Sequence, residues 1–190
     1  PTLGPQMKSV GEAMALGRTF PEALLKAVQS LEIGVDFLDG SGINKEPIAY
    51  HVDELSKPTA DRLFKVYRAI EDGVSLEEIA KRTNYDLWFL AQMQVIAECR
   101  MQIAEYGKAN AEGRMQNAEF KSLLRYAKQL GFADSYLERI LISSFIIHHS
   151  SFREFRKSLG ILPTFQRVDT CAAEFEAQTP YLYSAYEMDD

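Results

Sequence analysis

The sequence predicts a mainly α fold, in which an all-α domain follows a short α/β segment. From Pro58 to Gly160, apolar residues recur three and four positions apart, which is the spacing of one helix face. Serine or asparagine precedes several of these stretches and glycine follows most of them, as at helix starts and ends. No comparable strand pattern occurs there. Since 46% of the 190 residues are hydrophobic and 25% are charged, the chain can bury a core and is not a wholly disordered tail.

The first 57 residues contain the α/β segment. Residues 7–17 are small, partly alternating and include two glycines, which predicts a strand. The run Thr19-Phe-Pro-Glu22 is a capping box with proline in the first turn, and it predicts a helix that Gly34 ends. Residues 35–57 have no clear period and contain turn chemistry, so this stretch is predicted to hold a domain boundary. The apolar positions of the predicted helix are Ala23, Leu24, Ala27, Val28 and Leu31.

Six further helices are predicted after Pro58, and most of them show an apolar face at helical spacing. The capping box at Ser75 predicts a short helix to about Arg82, and residues 108–116 are polar and predicted as a loop. The other predicted faces are, in order, Leu63, Val66, Tyr67 and Ile70; Trp88, Ala91, Val95, Cys99, Ile103 and Tyr106; Phe120, Leu123, Leu124, Ala127 and Leu130 after Asn117; Tyr136, Leu137, Ile140 and Leu141; and Phe152, Phe155 and Leu159 after Ser151.

Charge and cysteine content exclude several classes of partner. The formal net charge of −6, from 21 basic and 27 acidic residues, disfavours a general nucleic-acid partner. Two cysteines are too few for a disulfide framework and fit a reducing compartment, so we expect a cytoplasmic protein. No stretch approaches the roughly 18 apolar residues of a membrane span, and no membrane partner is expected. Because the chain starts at Pro1 rather than at a methionine, we expect a fragment or a processed product.

Motifs for catalysis are absent from the sequence. It contains no phosphate loop, no dinucleotide-binding glycine pattern and no nucleophile elbow. His148 and His149 are adjacent, but no third ligand lies at helical or hairpin spacing, so a solvated loop or packing is the plainer interpretation of the pair. Cys99 lies on a predicted apolar helix face and is expected in the core. Cys171 begins a run of small residues, where packing is again expected.

Two segments, residues 75–88 and 124–136, have the length of a helix–turn–helix. In a DNA-binding protein the second helix would present basic or amide side chains to the bases. Here it would present aromatic and aliphatic side chains such as Trp88, Phe89 and Tyr136. These surfaces favour a protein partner over DNA, and the same three aromatics predict a helical face that supports self-association.

Glu12 has two interpretations. It is either an exposed alternate position of an edge strand or a carboxylate that lines an interior polar passage and takes its donors from elsewhere. The residues alone favour the first interpretation. Lys8 and Arg18 flank the predicted strand and read as surface charges.

Six segments resemble a known family, the carbamoyl phosphate synthetase large subunit. The run Met-Lys-Ser-Val-Gly-Glu-Ala-Met-Ala-Leu-Gly-Arg-Thr-Phe is similar to the end of its first ATP-grasp half, and Val-Asp-Thr-Cys-Ala-Ala-Glu-Phe resembles the start of its connection to the second half. The segments between them resemble its helical oligomerisation domain. In chain order, the matching residues are 7–20 with 30–32, 58–70, 88–90, 123–134, 159–161 and 168–187.

The resemblance implies a division of the chain and a role for it. Residues 1–33 would end the first ATP-grasp half, residues 34–165 would form the oligomerisation domain, and residues 166–190 would connect to the second half. The family makes carbamoyl phosphate from bicarbonate, glutamine-derived ammonia and two ATP, with magnesium or manganese, for arginine and pyrimidine synthesis. A glutaminase subunit or domain supplies the ammonia. The matched motif also assigns Glu12 to the internal path of carbamate, which favours its second interpretation.

The resemblance implies no catalytic, cofactor-binding or metal-binding residue within this chain. We therefore expect that the chain alone neither binds ATP tightly nor makes carbamoyl phosphate, and that its partners are the two ATP-grasp halves and further copies of itself. Residues 143–151 and the loop at 108–117 depart from the family pattern. The alternative hypothesis is a free-standing helical adaptor that reuses this module for protein contacts.

Overall fold

The computed structural model describes residues 5–6, 12–42, 45–109, 117–142, 151–168, 174–175 and 181–187. Within these ranges the fold is mainly helical, as predicted, with one two-stranded antiparallel sheet. A short 3₁₀ helix, Val52–Ser56, precedes the second α-helix. The helices are α1 Phe20–Ser30, α2 Arg62–Glu71, α3 Leu76–Thr83, α4 Leu87–Ala109, α5 Ala118–Gln129, α6 Asp134–Ile142 and α7 Phe152–Ser158, and the strands are β1 Thr164–Val168 and β2 Tyr181–Ala185.

Four of the predicted helix starts are confirmed by their caps. The side chains of Thr19, Ser75, Asn117 and Ser151 each accept a hydrogen bond from the backbone N–H three residues further on. Each cap satisfies a donor that the first turn of a helix leaves unpaired, because those N–H groups have no carbonyl four residues earlier within the helix. The helices therefore begin where local sequence chemistry predicts.

Helix α4 lies at the centre of the bundle and contacts α1, α2, α3, α5 and α6. Its predicted apolar face is buried only in part. Trp88 is 54% exposed, and Val95 is only partly buried. The buried side chains are Leu90, Met93, Ile96, Ala97, Cys99 and Ile103. Because helices surround α4 on several sides, its buried residues extend beyond the single face that the apolar period predicts.

Two further predictions at the front of the chain need correction. Residues 12–17 form no strand, and residues 7–11 of the predicted strand lie outside the described residues. Helix α1 ends at Ser30 rather than at Gly34, and Leu31 is exposed. Glu32 already has a φ of 52°, which a right-handed helix cannot accommodate, so the helix stops before the glycine.

The segment at residues 35–42 belongs to the core, although its apolar residues follow no helical or strand period. Phe37 is fully buried, and its ring stacks on that of Tyr136 at 3.7 Å between centroids. Beside it, Asp36 accepts two hydrogen bonds from the Arg139 guanidinium, at 2.6 and 2.7 Å. Such a fork is a strong, directional contact. The Asp36–Arg139 pair therefore stabilises the packing of this irregular segment against α6.

The sheet consists of β1 and β2, with Thr164 opposite Ala185 and Val168 opposite Tyr181. Neither strand was predicted from the sequence. Both are five residues long, and β1 alternates partly buried and exposed positions, which is the pattern of a half-buried strand. Ala185, at the end of β2, is buried. The end of β2 therefore packs against the helices.

Candidate interaction surface and chain junction

An aromatic cluster formed by Phe20, Trp88 and Phe89 lies where the first turns of α1 and α4 meet. The ring centroids are 5.5 Å apart for Phe20 and Trp88, 5.1 Å for Phe20 and Phe89, and 5.0 Å for Trp88 and Phe89. These separations and the tilted or edge-on angles are favourable for aromatic pairs. Trp88 and Phe89 nevertheless stay exposed, as does the neighbouring Leu87. The cluster is thus an ordered apolar surface rather than core.

The prediction of an exposed aromatic face is confirmed for Trp88 and Phe89 and wrong for Tyr136. Tyr136 is buried, and burial raises the pKa of its phenol, as does the negative charge of Asp39. Its hydroxyl donates to Asp39 Oδ2 at 3.2 Å and accepts from Arg100 Nε at 2.9 Å. These buried polar groups hold it in the core. Its position on the predicted apolar face of α6 agrees with burial, but its partners Asp39 and Arg100 are distant in sequence and could not be predicted.

The hydrogen bonds of Tyr136 belong to a buried polar network between α2, α4 and α6. Arg100 Nε also lies 3.1 Å from one carboxylate oxygen of Glu71, whose other oxygen accepts from Arg68 at 2.6 Å. Burial raises the pKa of Glu71, although Arg100 and Arg68 oppose this shift. The network pairs acidic with basic groups inside the protein, so it is suited to fixing the helices rather than to holding a charged ligand.

A junction between the two ends of the described chain lies at α1. We call residues 12–19 the leading segment. Lys26 of α1 donates to Leu16 O in this segment at 3.0 Å and to Ser184 O in β2 at 2.5 Å. It also forms a 2.7 Å ion pair with Glu22, whose side chain is buried. A single ammonium group therefore holds the leading segment, α1 and β2 together.

Arg18 forms a second contact across this junction. Its guanidinium lies 2.6 Å from a carboxylate oxygen of Glu187, just after β2. Hydrogen bonding to Tyr183 and the charge of Glu187 raise the pKa of Arg18. A groove of about 240 Å³ opens here between Arg18, Glu22, Tyr126 and Tyr186. The sequence had suggested only a surface charge at Arg18, because its partners are distant in the chain.

A second ionic cluster consists of Asp134, Lys128 and Arg156. Arg156 of α7 is buried and donates to both carboxylate oxygens of Asp134, and also to Ile161 O at 2.6 Å. Lys128 donates to the same aspartate at 2.7 Å. Burial alone would raise the pKa of Asp134, but the two cations hold it below its ordinary value. Tyr186, just after β2, lies with its ring about 5 Å from both cations.

Of the other residues singled out in the sequence, those that the structure describes are not brought together. Glu12 is exposed at the start of the leading segment. Cys99 is buried in the core as predicted, and burial raises the pKa of its thiol to about 12. His51 is exposed near Asp53. Lys8, His148, His149 and Cys171 lie outside the described residues.

Among the described residues, no three His, Cys, Asp or Glu side chains lie together as metal ligands would. Asp36 and Asp134 are instead held by arginine or lysine partners. No described helix is both long and apolar enough to cross a lipid bilayer.

Comparison with known proteins identifies the family. Residues 12–160 match the family model described as "Carbamoyl-phosphate synthetase large chain, oligomerisation domain". The chain is 40% identical over its whole length to the carbamoyl phosphate synthase large chain of Renibacterium salmoninarum. It is 42% identical over 99% of its length to that of Methanothermobacter thermautotrophicus, and 43% identical over 97% to that of Archaeoglobus fulgidus.

The chain spans only 16% of the length of each of these relatives. The relatives favour the synthetase interpretation over the free-standing adaptor. The match also covers α1 to α7 and the aromatic cluster, so it includes the surface described above. The chain therefore belongs to the family of the carbamoyl-phosphate synthetase large chain oligomerisation domain.

Proposed function

We propose that this chain is the structural and oligomerisation module of a carbamoyl phosphate synthetase large chain and lies between its two ATP-grasp halves. In this proposal residues 1–33 end the first half, residues 34–165 form the oligomerisation domain and residues 166–190 lead into the second half. The observation that carries it is the aromatic cluster, which remains exposed although the described helices already enclose a core. Ordered apolar surface of this kind is typical of protein docking sites.

The parent protein, in this proposal, is a cytoplasmic ATP-dependent ligase. It makes carbamoyl phosphate from bicarbonate, ammonia and two ATP, with magnesium or manganese, and a glutaminase subunit or domain supplies the ammonia. The product serves arginine and pyrimidine synthesis. In this proposal the present chain contributes assembly rather than nucleotide chemistry. Synthesis of carbamoyl phosphate by the full-length parent, supplied with ammonia, tests this assignment.

Self-association of the isolated chain should depend on the aromatic cluster. We expect sedimentation velocity to detect a dimer or larger species, and the Trp88→Glu variant to associate at least about tenfold more weakly. The reason is that a buried aromatic at the centre of an interface commonly contributes about 2 kcal/mol or more, and a carboxylate there would lose this and resist desolvation.

Leu162 provides a matched control, because it has the same 54% exposure as Trp88 but is not part of the cluster. The Leu162→Glu variant should associate as the unchanged chain does. A chain that stays monomeric at high concentration would contradict the proposal, and so would equal weakening by both substitutions.

Glu12 is proposed to line the internal path of carbamate in the parent protein. Its exposure at the start of the leading segment leaves the carboxylate available to donors from the parts of the parent outside this chain. Carbamate is unstable in water, so a shielded path protects it between two distant sites. We expect Glu12→Ala in the full-length enzyme to spare the partial reaction of each half more than it spares overall synthesis.

The measurement is carbamoyl phosphate formed per ATP consumed, together with the two partial reactions assayed separately. Glu119→Ala, which removes an exposed carboxylate from α5, is the control and should leave the ratio unchanged. An unchanged ratio in Glu12→Ala would exclude the proposed role of this residue.

A further inference from the structure

Lys26 occupies an unusual position at the junction, because its hydrogen bonds reach both the leading segment and β2. Leu16 O and Ser184 O accept from the same Nζ, so the two backbone segments pass within reach of one ammonium group. A lysine ammonium has three donors, and here Leu16 O, Ser184 O and Glu22 Oε1 provide three acceptors. Each N–H donor of the ammonium group therefore has an acceptor within the protein.

The surroundings of Lys26 strengthen these bonds. Its side chain is three-quarters buried and its partner Glu22 is almost wholly buried, so water and salt compete weakly with the pair. The Tyr183 ring lies 5.5 Å from Nζ on the other side. A hydrogen bond to a charged group is stronger than one between neutral groups, and shielding from water preserves that strength. Lys26 is therefore a firm contact, whereas the Arg18–Glu187 pair is more exposed and a weaker one.

We propose that Lys26 is a positioning residue, which fixes the leading segment to β2 and so gives the parts of the parent chain attached at these two places one relative orientation. The role in orienting the parts of the parent chain rests on the proposed function. The contact that joins the leading segment to β2 concerns the present chain alone. Arg18 of the leading segment also reaches β2 through Tyr183, but among the described residues it is Lys26 that bonds to backbone carbonyls of both segments.

The first test measures the distance between the two segments. Met14 and Leu182 are 79% and 63% exposed, so each can be replaced by cysteine and carry a nitroxide label, with Cys99 and Cys171 replaced by alanine and serine. Pulsed electron spin resonance should record one narrow distance in this background. Lys26→Met should lose the narrow distance, because the ammonium that joins the segments is gone. Lys26→Arg, which keeps the charge and the donors, should recover most of it.

Gln29→Met is the matched control. Gln29 also lies on α1 and donates to Gly131 O at 2.9 Å, but it contacts neither segment through this bond. Its variant should keep the narrow distance. An unchanged distribution in Lys26→Met, or equal broadening in Gln29→Met, would overturn the proposal. If Lys26→Met loses its helical circular dichroism, Lys26→Gln decides instead: loss of the narrow distance supports the role of the Lys26 ammonium, and an unchanged distance contradicts it.

The second test uses the full-length parent. Lys26→Met should lower carbamoyl phosphate formed per ATP consumed, while each partial reaction is retained and Gln29→Met is unaffected. A parent that makes no carbamoyl phosphate would contradict the proposed function, and the spin-label result would still decide the role of Lys26 in this chain. If the parent is active and Lys26→Met leaves the carbamoyl phosphate formed per ATP consumed unchanged, the proposed role of Lys26 in orienting the attached parts is overturned.

Discussion

Replacing Phe37 by alanine is expected to lower the free energy of unfolding by about 4 kcal/mol, which is typical for truncation of a fully buried phenylalanine to alanine. The Phe37 side chain has no exposed surface and lies among three other rings, those of Tyr67, Phe132 and Tyr136. Its removal leaves a cavity that these large rings cannot fill without leaving their own positions. The stacking on Tyr136 is lost as well.

Urea unfolding followed by circular dichroism at the α-helical band measures this loss. Phe165→Ala is the control, because Phe165 is 71% exposed on β1 and its truncation should change stability by no more than about 0.5 kcal/mol. A loss below about 1 kcal/mol for Phe37→Ala would mean that residues 35–42 are not part of the core.

Replacing Arg156 by methionine is expected to cost about 3 kcal/mol at neutral pH. The substitution keeps much of the apolar side chain but leaves the part-buried Asp134 with Lys128 as its cationic partner, and Ile161 O without its donor. Removing one member of a buried ion pair is costly, because the remaining charge stays desolvated. Arg153→Met, an exposed position on the same helix, is the control and should be nearly neutral.

The effect of Arg156→Met should depend on pH. The pKa of Asp134 is lower in the folded chain than its ordinary value of 3.8, so the folded state binds the proton less readily than the unfolded state does. The carboxylate therefore contributes stability above the ordinary pKa, and this contribution is lost as pH falls through the folded pKa. The difference in free energy of unfolding between the unchanged chain and Arg156→Met should therefore decrease as the pH falls below 3.8. A difference that stays constant down to pH 2 would show that the ion pair is not its source.

Helix starts could be predicted because their causes are local. A cap such as Thr19 or Asn117 acts on an amide three residues away, and an apolar period is visible within one helix. Burial in residues 35–42 arises instead from contacts with Tyr136 and Arg139, about a hundred positions further along. No short sequence pattern encodes such a pairing, so the segment resembled a linker.

The same distinction separates the two parts of the candidate site. Exposure of Trp88 and Phe89 could be predicted from the excess of aromatic residues on one helix face. The junction could not, because Lys26 has an ordinary position in an amphipathic helix and its acceptor Ser184 is 158 residues away. The buried hydrogen bond of Tyr136 could not be predicted for a similar reason, since its partner Asp39 lies 97 residues away.

The return of β2 to the leading segment has a topological consequence. Residues 16 and 184 meet at one side chain, so the intervening helices form a closed excursion of the backbone. Because Arg18 pairs with Glu187, a linker could join the segment after β2 to the leading segment, and a circular permutant could open at the exposed turn Asp72–Gly73. Changes of length within the helical excursion need not move the two segments that meet at Lys26. The outward surface of the helices can therefore vary while the contact between the leading segment and β2 is kept.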